Sequence, residues 1–329
     1  MKFTFLFIAL LLSFSCYNQS PNSSDNPPSW KQVAILPDSA VYNDIFFIDS
    51  KEGWLVGEYG LIYHSQNSGR SWEPQNSCDY NSPLNTIHFI DHQYGWATGL
   101  RSALYTIDGG GKWNYVDLVL YGAITLPFTV RIFFIDRENL LLFWSTSYHK
   151  SLSISHLMFY ADSAKFSWLT LEQFPFLPSS VTHIANKIWF ADVEQNMHIS
   201  TDGGETWSSQ QVETDSCSDI SAINDIFFED EKNGWFCSNS TVYYSIDGGD
   251  NWQCKASLPD TSLKRIYFFN DEGWVMGEKI IYYSSNGVYS WEEQFHVDGE
   301  EKLVSMSFVN NSNGWVLTEN GNVYRYGIE

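Results

Sequence analysis

One short sequence recurs along this chain and limits what it can fold into. The frame is Ser/Thr-x-Asp/Asn-x-Gly-x-x-Trp, and its best copy is Ser200–Trp207. Close copies lie at Thr106–Trp113 and Ser245–Trp252, and looser ones at Ser65–Trp72 and Ser284–Trp291. In such a turn the Asp or Asn side chain accepts backbone N–H bonds, and glycine adopts a positive φ without steric cost. A turn that recurs in phase predicts a repeat fold built from hairpins.

Each turn belongs to a longer unit that predicts four short strands, which we name a to d. In the first unit an apolar strand at 45–48 precedes a Gly-Trp strand at 53–54 and a Tyr-rich strand at 61–64. The Asp/Asn turn and a strand led by tryptophan complete the unit. Alternating β-branched and aromatic residues between Gly, Asn and Asp turns favour strands, and no sustained helical period is present.

The strand a sequence counts the units. It occurs seven times, with a degenerate copy near 181–184. The seventh unit stops at Tyr326, before any turn or Trp strand, whereas Ser29–Ile35 resembles the missing strand and supplies Trp30. A ring of sheets buries faces that would otherwise be open, and it needs its ends joined. The sequence therefore predicts an all-β fold over residues 29–329, a seven-bladed β-propeller of four-stranded antiparallel blades closed by its N-terminal strand.

The third unit is longer than its neighbours. Trp113 and Trp168 are 55 residues apart, against spacings of 41 and 39 on either side. We expect the extra length in two loops, at 116–128 and 145–155. Long loops on a rigid scaffold often carry function, although tolerated insertion is an equal interpretation.

The first residues predict export. Lys2 and the apolar run Phe3–Phe14, too short to span a bilayer, are typical of a signal peptide, here residues 1–15. Cys16 follows small residues as in a bacterial lipobox, although Phe14 departs from that pattern. Residues 16–28 have the composition of a flexible tether. We expect a protein anchored by lipid at Cys16 in the bacterial envelope, at the outer membrane or the periplasmic face, or a secreted one if Cys16 is not lipidated.

Charge limits the classes of binding partner, and the cysteines limit the disulfides and metal sites that the chain can form. The formal net charge is −21 and no basic run is present, which excludes a nucleic-acid footprint. The acidity is typical of a soluble surface, or of one that selects cationic partners. Besides Cys16, four cysteines permit disulfides in any of three pairings, or buried thiols: Cys78, Cys217, Cys237 and Cys254. No Cys-x-x-Cys or paired His spacing occurs, so neither a metal nor a cofactor is predicted.

The five turns resemble the Asp-box, or BNR, repeat. In that repeat the acidic or amide residue has a structural role, held here by Asn67, Asp108, Asp202, Asp247 and Asn286. The segment Trp54–Ser65 followed by Gly69–Trp72 resembles the photosystem II stability/assembly-factor type of propeller, as do the units around Trp96 and Trp235. The resemblance implies a non-catalytic platform that holds other proteins during assembly. We expect a monomer that touches the membrane only through Cys16.

Asp boxes also occur in sialidases and in oligoxyloglucan-type glycosidases. A sialidase needs three convergent arginines and a tyrosine activated by a glutamate. Of six arginines, Arg101, Arg131 and Arg265 are placed to contribute, and the early Arg-Ile-Pro of sialidases is absent. We therefore predict no catalytic residues, and we keep a glycan-binding module or a sialidase-like glycoside hydrolase as the alternative.

The residue before each strand a core should surround the mouth of the central channel. Two aspartates and two arginines there predict a polar binding site for a protein segment or a glycan, or else a solvated ring that pairs with itself. Asp44 and Asp225 also permit a carboxylate pair for hydrolysis. The mouth positions are Asp44, Thr86, Arg131, Thr182 or His183, Asp225, Arg265 and Ser305, and the b–c loops add Glu58, Tyr59 and Arg101.

Overall fold

The computed structural model describes residues 29–37, 40–77, 81–99, 102–117, 127–134, 139–146, 152–160, 165–174, 178–213, 220, 222–259 and 262–327. Between 127 and 177 it describes the backbone of four strands and the side chain of Leu141. The predicted signal peptide 1–15 and tether 16–28, with Cys16, lie outside these residues, as does Arg101.

The described strands form seven four-stranded antiparallel sheets. Strand a faces the centre of the ring, and b, c and d follow outwards. The a strands are β2 (Tyr42–Phe47), β6 (Leu84–Phe89), β10 (Pro127–Phe134), β14 (Pro178–Ile184), β18 (Asp225–Phe228), β22 (Arg265–Phe269) and β26 (Leu303–Asn310). The b strands are β3 (Gly53–Gly57), β7 (Gly95–Gly99), β11 (Asn139–Thr146), β15 (Lys187–Asp192), β19 (Gly234–Ser238), β23 (Glu272–Met276) and β27 (Asn313–Thr318).

The outer strands complete each sheet. The c strands are β4 (Ile62–Ser65), β8 (Ser102–Thr106), β12 (Leu152–Tyr160), β16 (Asn196–Ser200), β20 (Thr241–Ser245), β24 (Ile280–Ser284) and β28 (Asn322–Gly327). The d strands are β1 (Ser29–Ile35), β5 (Glu73–Pro74), β9 (Asn114–Asp117), β13 (Lys165–Phe174), β17 (Ser208–Gln211), β21 (Gln253–Ser257) and β25 (Glu292–His296). A single 3₁₀ turn, Glu58–Gly60, is the helical element of the described chain.

A three-ring stack joins neighbouring sheets and explains both tryptophan series. The ring of Phe47 on β2 lies 3.7 Å from that of Trp315 in the preceding sheet, nearly parallel, and Trp72 approaches it edge-on at 5.8 Å. The glycine before the strand b tryptophan makes room for the phenylalanine, since a Cβ on Gly53 would lie 2.6 Å from the Phe47 ring. The stack recurs in Trp54/Phe89/Trp113, Trp189/Phe228/Trp252 and Trp235/Phe268/Trp291.

The N-terminal strand closes the ring. β1 pairs with β28, so that the last sheet takes its outer strand from the start of the chain. Trp30 stands edge-on to Phe308 at 5.8 Å and 88°, the geometry that Trp72 has with Phe47. Its indole nitrogen donates to Gln294 Oε1 at 2.9 Å. Trp30 therefore takes the place of the turn tryptophan that the seventh unit lacks.

The prediction of seven blades needs a correction at the third unit, because only six of the described sheets follow the repeat. Those six carry a strand b tryptophan, whereas register places the fully buried Leu141 at that position of β11. The sequence also predicted the wrong location for part of the extra residues of the third unit. β10 to β13 are 8, 8, 9 and 10 residues long, so the predicted loop 145–155 lies mostly in β11 and β12. Trp168 lies inside β13, not at its start.

The cysteines do not form two disulfides among the four candidates. Cys237 is a free, buried thiol on β19, whereas Cys254 on β21 is disulfide-bonded. Cys78 and Cys217 lie outside the described residues. The three pairings that use all four cysteines are therefore excluded.

Candidate binding site at the channel mouth

The a strands surround a central cavity of about 370 Å³. Alternate side chains of a strand point to opposite faces, so residues two apart on strand a share this cavity. The mouth residues Asp44, Thr86, Asp225, Arg265 and Ser305 all line it. Arg131 lies on β10, and its side chain is outside the described part of the chain.

The fourth mouth position was assigned wrongly from the sequence. β14 pairs with β15 so that Ser180 faces Ala191, the register that Asp225 has with Cys237 in the next sheet. Ser180 therefore stands at the mouth, and Thr182 and His183 line the cavity further along the strand. The error arose because this strand lacks the Ile-Phe-Phe core that marks the others.

Asp44 and Asp225 tie neighbouring sheets together. Asp44 accepts the hydroxyl of Ser305 at 2.6 Å from one side and the amide of Ile87 at 3.0 Å from the other. Asp225 repeats the pattern. It accepts the hydroxyl of Ser180 at 2.9 Å and the amide of Ile266 at 3.0 Å. Both carboxylates thus have a structural role between sheets, which weakens their interpretation as a hydrolytic pair.

Both carboxylates act electrostatically on the guanidinium of Arg265. Burial acts to lower the pKa of its guanidinium, but Asp225 and Asp44 outweigh that effect and raise the pKa. Burial raises the pKa of the Asp44 carboxyl, against an opposing effect of Arg265. Within the described residues the guanidinium makes one hydrogen bond, from Nη1 to the Lys264 carbonyl at 3.3 Å. A guanidinium has five N–H donors, so most of them remain available to a ligand.

The inner wall was missed by the sequence reasoning. His88, His183, Phe227 and Tyr267 line the cavity two or three residues beyond the mouth positions. Burial lowers the pKa of His88 to about 4, and nearby His183 adds to the effect. Burial also lowers the pKa of His183, so both rings are neutral at pH 7. The period of two along each strand was the signal that could have found Phe227 and Tyr267.

Glu58 and Tyr59 lie at the same end of the ring, outside the central cavity. Tyr59 is 74% exposed and has a left-handed backbone, with φ of 58°. The turn is fixed at both ends, because the Glu58 amide donates to the Val41 carbonyl and the Gly60 amide to that of Ser82. A strained and well-held residue at a rim is typical of a contact site.

The Asp-box turns lie at the opposite end of the sheets. In the turn at 200–207, Asp202 Oδ1 accepts the Thr206 amide at 2.9 Å, and Ser200 Oγ accepts the Gly204 amide at 2.8 Å. In the other four turns a side-chain oxygen likewise accepts the backbone N–H four residues further on. The accepting residues are Asn67, Asp108, Asp247 and Asn286. These side chains are occupied in building the turn.

No group of three or more metal-binding side chains occurs within the described ranges. Among the same residues we find no helix with the length and apolar character needed to cross a membrane.

Comparison with known proteins adds a family to this geometry. A family model described as photosynthesis system II assembly factor YCF48 matches residues 22–121 and 219–303, more than half of the chain. The photosystem II assembly lipoprotein Ycf48 of Prochlorococcus marinus is 37% identical over 78 residues, which cover 23% of this chain and 22% of that relative. The sequence match thus spans less than a quarter of either protein.

Solved structures agree on the fold. The structure described as YCF48 bound to D1 peptide has a TM-score of 0.71 at 20% identity, and the match covers 93% of this chain and 96% of that one. A streptogramin B lyase has a TM-score of 0.68 at 13% identity over 92% of this chain and 98% of its own. At such identities the likeness shows the fold alone.

Proposed function

This chain belongs to the family of the photosynthesis system II assembly factor YCF48, and we propose that it is a non-catalytic platform that binds a segment of another protein at the channel mouth. Its partner need not be a photosystem subunit, because the family membership concerns the chain and not the ligand.

The arrangement of Arg265 carries this proposal. Its guanidinium faces a cavity of about 370 Å³, within the size range of ligand pockets, and most of its donors lack a partner among the described residues. The negative charges of Asp225 and Asp44 raise its pKa and keep it charged. A fixed fork of donors suits the carbonyl and carboxylate oxygens of a peptide.

The surrounding side chains suit the rest of such a segment. The aromatic rings of Phe227 and Tyr267 line the central cavity, and the exposed Tyr59 lies at its rim. Tyrosine gives a large contact area at a low cost in conformational entropy. The relative bound to a D1 peptide supports a protein ligand, since it has the same fold.

We also propose that the protein is exported, anchored through lipid at Cys16, and monomeric. The signal-like start supports the anchor, as does the name lipoprotein given to relatives from Prochlorococcus marinus and Picosynechococcus. Metabolic labelling with an alkyne fatty acid should mark the wild type and not Cys16→Ala. Equal labelling of both proteins would refute the anchor.

The platform is tested by capturing partners from native membranes with Arg265→Lys, which keeps the charge and loses the fork. We expect the wild-type partner to be lost while the melting temperature changes little. The matched control is Lys112→Ala, in an Asp-box turn on the opposite face, and it should keep the partner. Capture unchanged by Arg265→Lys would refute binding at the mouth.

The glycosidase alternative is tested on the same preparation with a fluorogenic sialoside. We expect no hydrolysis. Hydrolysis that disappears in Arg265→Ala would replace the platform with an enzyme.

A further inference from the structure

A second groove lies between the fifth and sixth sheets, at the Asp-box end of the ring. Its volume is about 370 Å³, and we call it the 5/6 groove. It is remote from the channel mouth and plays no part in the function proposed above. Its walls are aromatic and acidic, and they include Glu229, Asn233, Tyr244, Asp271, Val288 and Tyr289.

A buried donor without a partner lines this groove. Trp235 is 3% exposed, and its indole nitrogen makes no hydrogen bond. At three other junctions the corresponding nitrogen donates to a carbonyl in the Asp-box turn of the next sheet. The pairs are Trp54 with Gly109 at 3.3 Å, Trp189 with Gly248 at 2.7 Å, and Trp315 with Ser68 at 2.9 Å.

The Asp-box turn of the sixth sheet, Ser284–Trp291, explains why the Trp235 indole nitrogen has no acceptor. We call it the sixth turn. The turns that accept from Trp54, Trp189 and Trp315 each have two successive residues at positive φ, as at Gly248 and Gly249. In the sixth turn Gly287 is followed by Val288, which does not adopt a positive φ. A β-branched residue is strongly disfavoured there. The turn therefore departs from its relatives at the point where Trp235 needs an acceptor.

The chain itself places cations on this tryptophan at two other junctions. Lys187 Nζ lies 4.8 Å from the Trp189 ring centre, and the Arg325 guanidinium lies 5.7 Å from that of Trp315. Strand register gives the equivalent positions in the fifth sheet as Asn233 and Tyr244. Neither is charged, and no described lysine or arginine stacks on Trp235.

The 5/6 groove carries negative charge instead. Burial raises the pKa of the Tyr244 hydroxyl, and the carboxylates of Asp230, Asp271 and Glu229 raise it further. Tyr289 is 80% exposed, and within the described residues the cation over its ring is Lys255, whose Nζ lies 5.7 Å from the ring centre. Tyrosine faces beside carboxylates attract a cation. The net charge of −21 favours the same class of partner.

We propose that the 5/6 groove binds a lysine or arginine side chain of a basic protein segment. The cation lies against Tyr244 and Tyr289 and faces Asp271 and Glu229. A free ammonium ion would leave the indole N–H unsatisfied, whereas a peptide also brings a backbone carbonyl that can accept from Trp235. The ligand brings to this junction a cation of the kind that the chain supplies at the other two, and it meets the tyrosines because Tyr244 already stacks on the Trp235 ring at 5.1 Å.

The test is fluorescence anisotropy with a labelled peptide of alternating glycine and arginine, its glycine–lysine counterpart, and a glycine–glutamate control. We expect both basic peptides to bind, more weakly as salt is raised, and the acidic one not to bind. Tyr289→Ala should weaken binding by about three- to tenfold, and Tyr289→Phe should keep it because the ring face remains. Tyr115→Ala, which removes an exposed tyrosine of the second sheet, should have no effect.

A blocking variant gives the sharper result. Asn233→Lys places a lysine where the fourth sheet has Lys187, so the chain should fill its own groove and weaken peptide binding by about tenfold or more. Asp271→Asn should weaken binding by about two- to fivefold and reduce its salt dependence. An unchanged affinity in both Asn233→Lys and Tyr289→Ala, or an equal loss in Tyr115→Ala, would overturn the proposal. If Arg265→Lys loses binding of the basic peptides, they bind at the channel mouth instead, and the proposal for the 5/6 groove is also overturned.

Discussion

Replacing Trp30 with alanine should open the ring where the two ends of the chain meet. A tryptophan buries about 150–250 Å², worth roughly 4–6 kcal/mol at about 25 cal/mol per Å² if it were fully buried. Trp30 keeps part of its surface in solvent, and the unfolded chain already shields some of the rest, so packing contributes about 2–3 kcal/mol on this scale. Its hydrogen bond to Gln294 adds about 1 kcal/mol. We expect Trp30→Ala to lower the free energy of unfolding by about 3–4 kcal/mol.

That loss corresponds to a fall in melting temperature of about 5–6 °C for a chain of this size. Thermal unfolding followed by near-ultraviolet circular dichroism measures it. Trp72→Ala is the matched control, because Trp72 is also half-buried and meets Phe47 in the same edge-on geometry. The two variants should fall by similar amounts. If Trp72→Ala falls as expected and Trp30→Ala changes by less than about 1 °C, the closure by β1 does not stabilise the ring.

Three further changes test the interior. Burial lowers the pKa of His88 to about 4, so the unfolded chain binds a proton more readily than the folded one. The free energy of unfolding should therefore fall by up to about 3 kcal/mol as pH falls from about 6.5 to about 4. His88→Phe introduces the residue that the first sheet has at the equivalent position, Phe46, and its urea midpoint should vary less with pH over that range. Cys237 is buried and its thiol pKa is raised, first by burial and then by Asp225, so mass spectrometry should show no alkylation of the folded protein and full alkylation in denaturant. Gly234→Ala should cost about 1–3 kcal/mol in denaturant titrations, because the new Cβ would lie 2.3 Å from the Phe228 ring; an unchanged midpoint would refute the packing account.

The repeat could be predicted because each part of it has its own chemistry. Turn residues accept specific amides, glycine makes room for phenylalanine, and tryptophan marks two strands in every regular sheet. The missing turn tryptophan of the last unit pointed to Trp30 for the same reason. The third unit was harder to place, since Leu141 gives no aromatic marker and longer strands resemble loops in a count of spacings.

The channel mouth could be located but not explained from sequence. The positions of Asp44, Asp225 and Arg265 followed from their place before an apolar core. Their hydrogen bonds did not, because the bonds join strands about 40 residues apart or more across sheet boundaries. The 5/6 groove was equally hidden, since its unpartnered indole depends on the backbone of a turn in the next sheet.

The most direct test of the platform is to compare photo-crosslinking from the two faces of the ring. A benzophenone amino acid is placed at Tyr59 beside the channel mouth, or at Ile107 in an Asp-box turn, and the protein is irradiated in its native cells. Both side chains are exposed, so neither change should disturb the fold. The account predicts one defined protein adduct from position 59, lost when Arg265→Lys is added, and no such adduct from position 107. An adduct from position 107 alone, or one from position 59 that survives Arg265→Lys, would contradict it.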